Sequence, residues 1–458
     1  MTDSTSSSRA NSRDGSREDS GDDSTWDRGP VVVVGLGYVG LPLAASLAAA
    51  GVDVIGVETN AETRRTLAEG RAPFYEPGLT ELLRALPAGR FTVAATLPER
   101  APHAAVICVG TPMSAATGQP ALEHLEAAAD AVAAAMSDDT LVVVRSTVPV
   151  GTCRETVLPR LRNRVAEPLL AFCPERLIQG RALAELGTLP QIIGALDARS
   201  QDRARALHAR ITPAHVPVSS LEAAEMIKLI CNAHTDVTYG FGNEVTMMAA
   251  CFGLDADELI AGANLGYPRP DLARPGYVGG SCLTKDPYLL THGTRARGYE
   301  APMVAAARRV NESVPAFAVE HFTRAYRAGT TRPLSEAKVL VCGVAYKGRP
   351  ETDDVRGAAS AQVAKALDGV VATLAAHDFL VPHDRVKELG CEPMALEEGL
   401  READGLLLLN DHPGYAEITA EHLRSRMRPP RVVFDMWGLL EPALAGHGDI
   451  TYLRLGRV

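Results

Sequence analysis

Apolar positions in this chain come in short blocks, and the period of the blocks changes along it. Val31-Val32-Val33-Val34 is an unbroken β-branched run, the pattern of a strand buried on both faces of a parallel sheet. A glycine turn and an Ala/Leu-rich stretch at 40–50 follow, predicting a helix, and 52–58 predicts the next strand. Apolar strands are predicted again at 104–109 and 141–145, with an Ala-rich helix at 121–136 between them. Strands alternating with helices predict a parallel, doubly wound sheet. Residues 218–262 hold no proline and few glycines and predict one long helix, an interdomain spine; 264–282 is Gly/Pro/Arg-rich and predicts a loop. A second α/β unit is predicted from Ala337, with strands at 338–344, 370–376, 406–409 and 432–434 and a helix at 358–367. The pattern predicts an α/β chain of two doubly wound domains joined by a long helix.

Composition narrows the class. Hydrophobic residues make up 46% and charged residues 22%, as in ordinary globular chains. A formal charge of −10 argues against nucleic acid as the main partner. A nucleotide is still compatible, since one helix N-terminus and a few cations can hold it. No apolar stretch approaches the ~20 residues of a spanning helix, so no membrane segment is expected. Residues 1–28 are Ser-, Asp- and Arg-rich, predict disorder and lack the apolar core of a secretory signal. The eight cysteines form no C-x-x-C pair and mostly lie in apolar runs. That suits buried thiols in a reducing, cytoplasmic compartment and argues against a metal site.

Two segments carry chemistry. Gly35-Leu36-Gly37-Tyr38-Val39-Gly40 follows the first strand and opens a helix, and Glu58 ends the next strand. The glycines permit a tight turn, close approach of backbone to a pyrophosphate and packing of helix on strand. The acid accepts from ribose hydroxyls and repels a 2′-phosphate, which favours NAD over NADP. Arg64 and Arg65 read as solvated helix charges, and Thr111 is a further candidate cofactor contact. The second segment is Gly276-Tyr277-Val278-Gly279-Gly280-Ser281-Cys282-Leu283-Thr284-Lys285-Asp286. A thiol after a glycine run, near a helix N-terminus, is expected to favour thiolate. Asp286, four residues on, is expected on the same helical face, with Lys285 adding positive charge. Lys228 and Asn232 are also four apart and could stabilise an oxyanion; the plain alternative is a polar helix stripe with Lys228 paired to Glu225. Thr147, in 146–152, is a candidate cap, cofactor contact or water ligand, and Glu175 a candidate base or water-orienting residue.

Together the segments GLGYVGLPLA, FYEPGL, STVPVGT, PER, E-x-x-K-x-x-x-N, GGSCLTKD and GVAYKGRPETDDVR, in that order, resemble the family of UDP-glucose and GDP-mannose dehydrogenases over about residues 30–440. These are NAD-dependent, four-electron nucleotide-sugar dehydrogenases. After the tail at 1–28, the resemblance implies an NAD-binding Rossmann domain at 29–215, a helical central dimerisation domain at 216–330 and a C-terminal Rossmann-like UDP-sugar domain at 331–458. It implies a homodimer or higher homo-oligomer. It further implies Cys282 as nucleophile toward an aldehyde, Lys228 and Asn232 as oxyanion stabilisers, Asp286 in the proton network, and Thr147 and Glu175 around the water. Lys285 joins the cofactor contacts. Glu175, Arg176, Lys228, Asn232, Tyr277, Gly279, Tyr346, Lys347 and Arg356 become substrate contacts, and Arg269 an arginine donated across the dimer. The implied reaction oxidises a sugar C6 alcohol to an aldehyde, traps it as a thiohemiacetal, oxidises that to a thioester and hydrolyses it. The run Pro174-Glu175-Arg176-Leu177-Ile178-Gln179-Gly180-Arg181 resembles the UDP-N-acetylmannosamine and UDP-N-acetylglucosamine branch, whereas GGSCLTKD is nearer the UDP-glucose and GDP-mannose branches. Gln179 stands where glucose-type enzymes carry a carboxylate. Two other readings compete: a two-electron hydroxyacid-type dehydrogenase, which needs neither Cys282 nor the second α/β unit, and a non-catalytic NAD-binding protein, in which the reactive groups would be lost.

Overall fold

The computed structural model describes residues 29–268 and 270–457, so the 1–28 tail and Arg269 lie outside the described residues. Strand β1 (Val31–Val34) is buried along its whole length. Val31 and Val33 join one core cluster, with the helix Gly40–Ala49, and Val32 and Val34 join another, with the helix Glu123–Ala135. An unbroken valine run answers that demand, because both faces of the strand meet apolar helices. β1 pairs in parallel with β2 (Val54–Val57) and β4 (Ala104–Ile107). With β3 (Phe91–Ala94), β5 (Leu141–Val144) and β6 (Leu169–Phe172), the parallel order is β3-β2-β1-β4-β5-β6. β7 (Gln191–Ala195) then adds antiparallel to β6, and β8 (His215–Pro217) parallel to β7.

The second sheet contains β9 (Lys338–Cys342), β10 (Thr373–His377), β11 (Glu392–Pro393), β12 (Gly405–Leu408), β13 (Val432–Asp435) and β14 (Thr451–Arg454). Its order is β11-β10-β9-β12-β13-β14, all parallel, so it repeats the first six strands of the other sheet. The expected pair of doubly wound α/β units is present.

Between the sheets the prediction needs amendment. The single helix expected over 218–262 is two. Ser220 caps Leu221–Phe252, its hydroxyl accepting from Ala223 N at 3.1 Å. That helix stops at Gly253, which is left-handed, and Asp255 caps a new helix, Ala256–Asn264. The sequence reading also lacked the long helix Pro302–Gly329, which packs along Leu221–Phe252. Its inner face buries Arg308 and Asn311 and contains Pro315, which together break the apolar stripe that marks a helix in sequence. Among the described residues no helix is long and apolar enough to cross a membrane.

Candidate functional site

The first unit presents a cofactor cradle. Gly35 has φ of +90°, and a Cβ there would press on the Cys108 carbonyl. A Cβ on Gly40 would run into the Gly35 carbonyl, so both positions require glycine. Gly37 faces open space, which lets a ligand approach its backbone closely. Val39 caps Gly40–Ala49 without a side-chain bond, so the helix N-terminus stays available to an anion. Glu58 accepts from Leu36 N at 3.1 Å and Asn60 N at 2.8 Å, which fixes its carboxylate beside the glycine turn. Arg64 folds back onto the Glu58 and Thr59 carbonyls, and Arg65 pairs with Glu62 in solvent, as expected of a surface charge. Thr111 ties the ends of β4 and β5 by donating to the Thr147 carbonyl. An open glycine face, an unfilled helix N-terminus and a fixed acid fit an NAD adenosine diphosphate.

The reactive cluster lies where three parts of the chain meet. Lys228 and Asn232 project one turn apart from Leu221–Phe252. Lys228 Nζ is 3.4 Å from Glu175 Oε2, both nearly buried. Asn232 Nδ2 donates to Asp286 Oδ2 at 2.5 Å, and Lys285 Nζ to Asp286 Oδ1 at 2.6 Å. Lys228 does not pair with Glu225. Glu225 instead accepts from Gly151 N at 2.6 Å and Cys153 N at 2.8 Å, tying the 146–152 loop to the helix. Burial pushes the Glu225 carboxyl up to about 7 against the pull of those N–H groups. Burial also works against the Lys228 ammonium, but Glu175, Cys282 and Asp286 outweigh it and hold its pKa above the usual lysine value.

Cys282 sits in the one-turn helix Gly280–Leu283, and Asp286 opens a separate helix, Asp286–Arg295. The expected shared helical face is therefore absent, because the helix breaks between them at Thr284 and Lys285. The expected thiolate is corrected as well. Burial pushes the Cys282 thiol up, Asp286 and Glu175 add to it, and Lys228 and Lys285 offset only part. Two buried side chains of Pro302–Gly329 hold the loop. Arg308 pairs with Asp236 at 2.7 Å and donates to the carbonyls of Leu283 and Val278 at 2.9 and 3.3 Å. Asn311 bonds Asn243, which in turn makes two bonds to Gly276.

The second unit closes the cluster through the segment after β9. The Tyr346 ring lies against Gly280, and Gly280 N donates to the Gly357 carbonyl at 3.2 Å. Lys347 Nζ donates to the Gln179 carbonyl at 2.6 Å, and burial brings its pKa down to about 8. Asp354 accepts from Arg356 through both oxygens and from Gln179 Nε2 at 3.1 Å. The Arg356 guanidinium lies 5.1 Å from the ring centre of Tyr38, whose hydroxyl donates to Asp353 at 2.8 Å. Tyr75 N donates to the same Asp353 at 3.0 Å.

The structure thus brings together Cys282, Lys228, Asn232, Asp286, Glu175, Lys285, Tyr346 and Arg356, while Lys347 is held to one side at Gln179. It does not bring Arg176, whose guanidinium turns to the Pro190 carbonyl. Nor does it bring the ring of Tyr277, which packs in the second unit's core with its hydroxyl on Gln362; Gly279 backs onto that ring. Sequence reasoning missed Asp353, Asp354 and Tyr75, although TDD stood inside a quoted motif. It also missed Glu225 as a loop holder, and Arg308, which lay in an unpredicted helix.

Comparison with known proteins fits this geometry. Models of the UDP-glucose/GDP-mannose dehydrogenase family match in three parts: the NAD binding domain at 30–212, the central domain at 222–313 and the UDP binding domain at 340–442. The chain belongs to this family. It is an NAD-dependent nucleotide-sugar dehydrogenase. It is 31% identical over 436 residues to UDP-N-acetyl-D-mannosamine dehydrogenase of Pyrococcus horikoshii, covering 92% of this chain and 100% of that one. It is 32% identical over 424 residues to NDP-N-acetyl-D-galactosaminuronic acid dehydrogenase of Ralstonia nicotianae, covering 89% and 96%. The solved UDP-D-ManNAc dehydrogenase of Pyrococcus horikoshii superposes with a TM-score of 0.84 at 30% identity, covering 93% of this chain and 99% of that one.

Proposed function

We propose that this dehydrogenase oxidises the C6 hydroxymethyl group of UDP-N-acetylmannosamine or UDP-N-acetylglucosamine to the uronate through a thioester on Cys282. The observation that carries the reading is the meeting of Cys282 with the Lys228–Glu175 and Asn232–Asp286 pairs in one partly buried cluster. The PER-x-x-x-GR run and the N-acetylhexosamine relatives support the substrate class. The balance is R–CH2OH + H2O + 2 NAD⁺ to R–COO⁻ + 2 NADH + 3 H⁺. NAD, when bound, accepts the hydride of each oxidation. Lys228 and Asn232 stabilise the oxyanion that develops at the sugar carbon. Cys282 Sγ adds to the aldehyde carbon as its proton passes to the carbonyl oxygen, and loss of the second hydride together with that hydroxyl proton leaves the acyl group on sulfur. Glu175, held on Lys228, takes a proton from the water that attacks the thioester and returns it to the departing Cys282 sulfur, which releases the acid and restores the thiol.

A cavity of about 540 Å³ bordered by Tyr239, Arg274, Arg349 and Trp437 suits a nucleotide diphosphate. Ile230, Phe241, Met248 and Phe252 form an exposed stripe along Leu221–Phe252, with Leu265 beyond it. That stripe supports a homodimer built on this helix, and the free thiols suit the cytoplasm.

The test counts NADH formed per sugar with UDP-N-acetylmannosamine, UDP-N-acetylglucosamine, UDP-glucose and GDP-mannose, beside a Cys282→Ala variant. Two NADH per sugar with an N-acetylated substrate, and no uronate from the variant, is the expected result. Preference for UDP-glucose or GDP-mannose would move the substrate to the branch that GGSCLTKD resembles. One NADH per sugar, or a fully active variant, would remove the thioester.

A further inference from the structure

Glu175 is the first residue after β6 to leave the sheet for the cluster, and two buried side chains grip the peptide units before it. Gln191, at the start of β7, donates from Nε2 to the Pro174 carbonyl at 3.0 Å and to the Ile192 carbonyl at 2.9 Å. Its Oε1 accepts from Arg145 Nη1 at 2.8 Å, and the same nitrogen donates to the Cys173 carbonyl at 3.1 Å. Arg145 follows β5 and precedes the 146–152 loop. Both side chains are buried, Arg145 at 3% exposure. Among the described residues no carboxylate stands within ion-pair distance of Arg145, and its Nε makes no hydrogen bond.

A buried guanidinium without a counter-ion is expensive to keep. A neutral side chain would fill the same core position at less cost, so its charge and fork are retained for something they act on. Three strand ends converge there, and the one ionised group that the gripped peptides carry is Glu175. The Cys108 thiol feels both charges, Arg145 pulling its pKa down and Glu175 pushing it up, beneath the larger upward push of burial. Cation and carboxylate therefore share one buried neighbourhood without touching.

We propose that Arg145 and Gln191 are positioning residues for Glu175: together they fix the 173–175 peptides so that the carboxylate is held against Lys228 and near Cys282. The inference rests on the proposed place of Glu175 in the active cluster. It is independent of which sugar is oxidised.

The groups acting on the Cys282 thiol are Asp286, Lys228, Glu175 and Lys285, with Tyr346 and Arg356 close by. Glu175 raises the thiol pKa and Lys228 lowers it. Letting Glu175 withdraw from Lys228 lowers that pKa. The test is the pH profile of Cys282 alkylation by iodoacetamide, followed by peptide mass spectrometry to separate it from the exposed Cys231 and Cys251. Wild type is compared with Gln191→Leu, Glu175→Gln and the double variant, each shown folded by its thermal transition. The expected result is a lower midpoint in Gln191→Leu, about threefold faster alkylation at pH 7. Glu175→Gln shifts the same way, and the double variant goes no further than Glu175→Gln. An unchanged midpoint in folded Gln191→Leu overturns the proposal, as does a shift that persists in full without the Glu175 charge. If Gln191→Leu does not fold, Arg145→Lys, which keeps the charge and loses the fork, takes its place with the same outcomes. A wild type that forms no NADH would sink the proposed function, while this cycle would still decide the clamp.

Discussion

The two α/β units share a strand order, yet they treat the turn after their first strand in opposite ways. In the first unit the connection from β1 is short, residues 35–39, and delivers the chain straight into Gly40–Ala49. Its N–H groups are left largely open, with Glu58 taking only Leu36 N nearby. In the second unit the connection from β9 is long, residues 343–358, before the helix Ala359–Leu367 begins. There Asp378, at the end of β10, accepts from Val344, Ala345, Leu380 and Val381 N–H. The N–H groups that follow β9 are taken by the protein's own carboxylate. The long loop is thereby freed to carry Tyr346, Lys347, Asp353 and Arg356 across to the first unit. One topology gives a cofactor cradle when its turn is open, and an arm when it is closed.

The sharpest way to break this comparison is Gly40→Ala. A Cβ there meets the Gly35 carbonyl, whereas the second unit already carries Ala358 and Ala359 where its helix begins. At a roughly 100-fold excess over Kd, NAD should stabilise the wild type by about 2.7 kcal/mol. Thermal shift should show that gain lost in the variant while stabilisation by UDP survives. Loss of both responses would mean the units are not separable in this way.

Asp378→Ala comes next. It removes the acceptor of four backbone N–H groups, and about 2–3 kcal/mol of stability should go with it, read by denaturant unfolding. Glu58→Ala, by contrast, should cost less than about 1 kcal/mol of stability and fall mainly on NAD affinity. Equal losses of stability in the two variants would erase the distinction between filled and open turns.

A smaller effect is expected at the contact between the units. Tyr38 belongs to the cofactor turn and Asp353 to the arm, so binding at one should be felt at the other. Tyr38→Phe should reduce the factor by which UDP tightens NAD binding by about fivefold, and Asp353→Asn should add little on top. Calorimetric titration of NAD with and without UDP measures it.

The smallest effect concerns Glu225, which fills a set of N–H groups within the first unit's own loop as Asp378 does in the second. Burial raises its folded carboxyl to about 7, above the ordinary value near 4.5. The folded chain thus holds this proton more tightly than the unfolded one. Its contribution to stability is full below about pH 4.5 and is lost as pH rises through about 7. Glu225→Gln should flatten the dependence of Tm on pH between 5 and 8 by about 2 °C.

What could be read from the sequence follows from where each signal is local. The Val31–Val34 run, the glycine turn and Glu58 lie within one β-α-β stretch, so spacing alone exposes them. Lys228 and Asn232 are legible for the same reason, being one turn apart on a helix. Their partners are not local: Lys228 finds Glu175, and Asn232 finds Asp286, through folding of distant segments. Local reasoning therefore offered Glu225 to Lys228, when Glu225 was already committed to the loop at 151–153. The resemblance implied Arg176 as a substrate contact beside Glu175, but successive residues leaving a strand point apart. The thiol of Cys282 was expected to ionise from its helix position. A single turn of helix offers a weak dipole, and burial beside Asp286 outweighs it.

The crossing of residues 351–356 has a consequence for inheritance. In sequence these residues travel with the second unit; in contact they belong to Tyr38, Tyr75 and Gln179 of the first. A recombinant that spliced this first unit to the remainder of a relative would carry one half of the lock and import the other. Such a chimera needs Tyr38, Tyr75, Gln179 and the acidic arm from a single parent. Four places far apart in the chain must therefore be passed on as one block, and a change of sugar range that alters the arm is felt by the cofactor turn in the same generation.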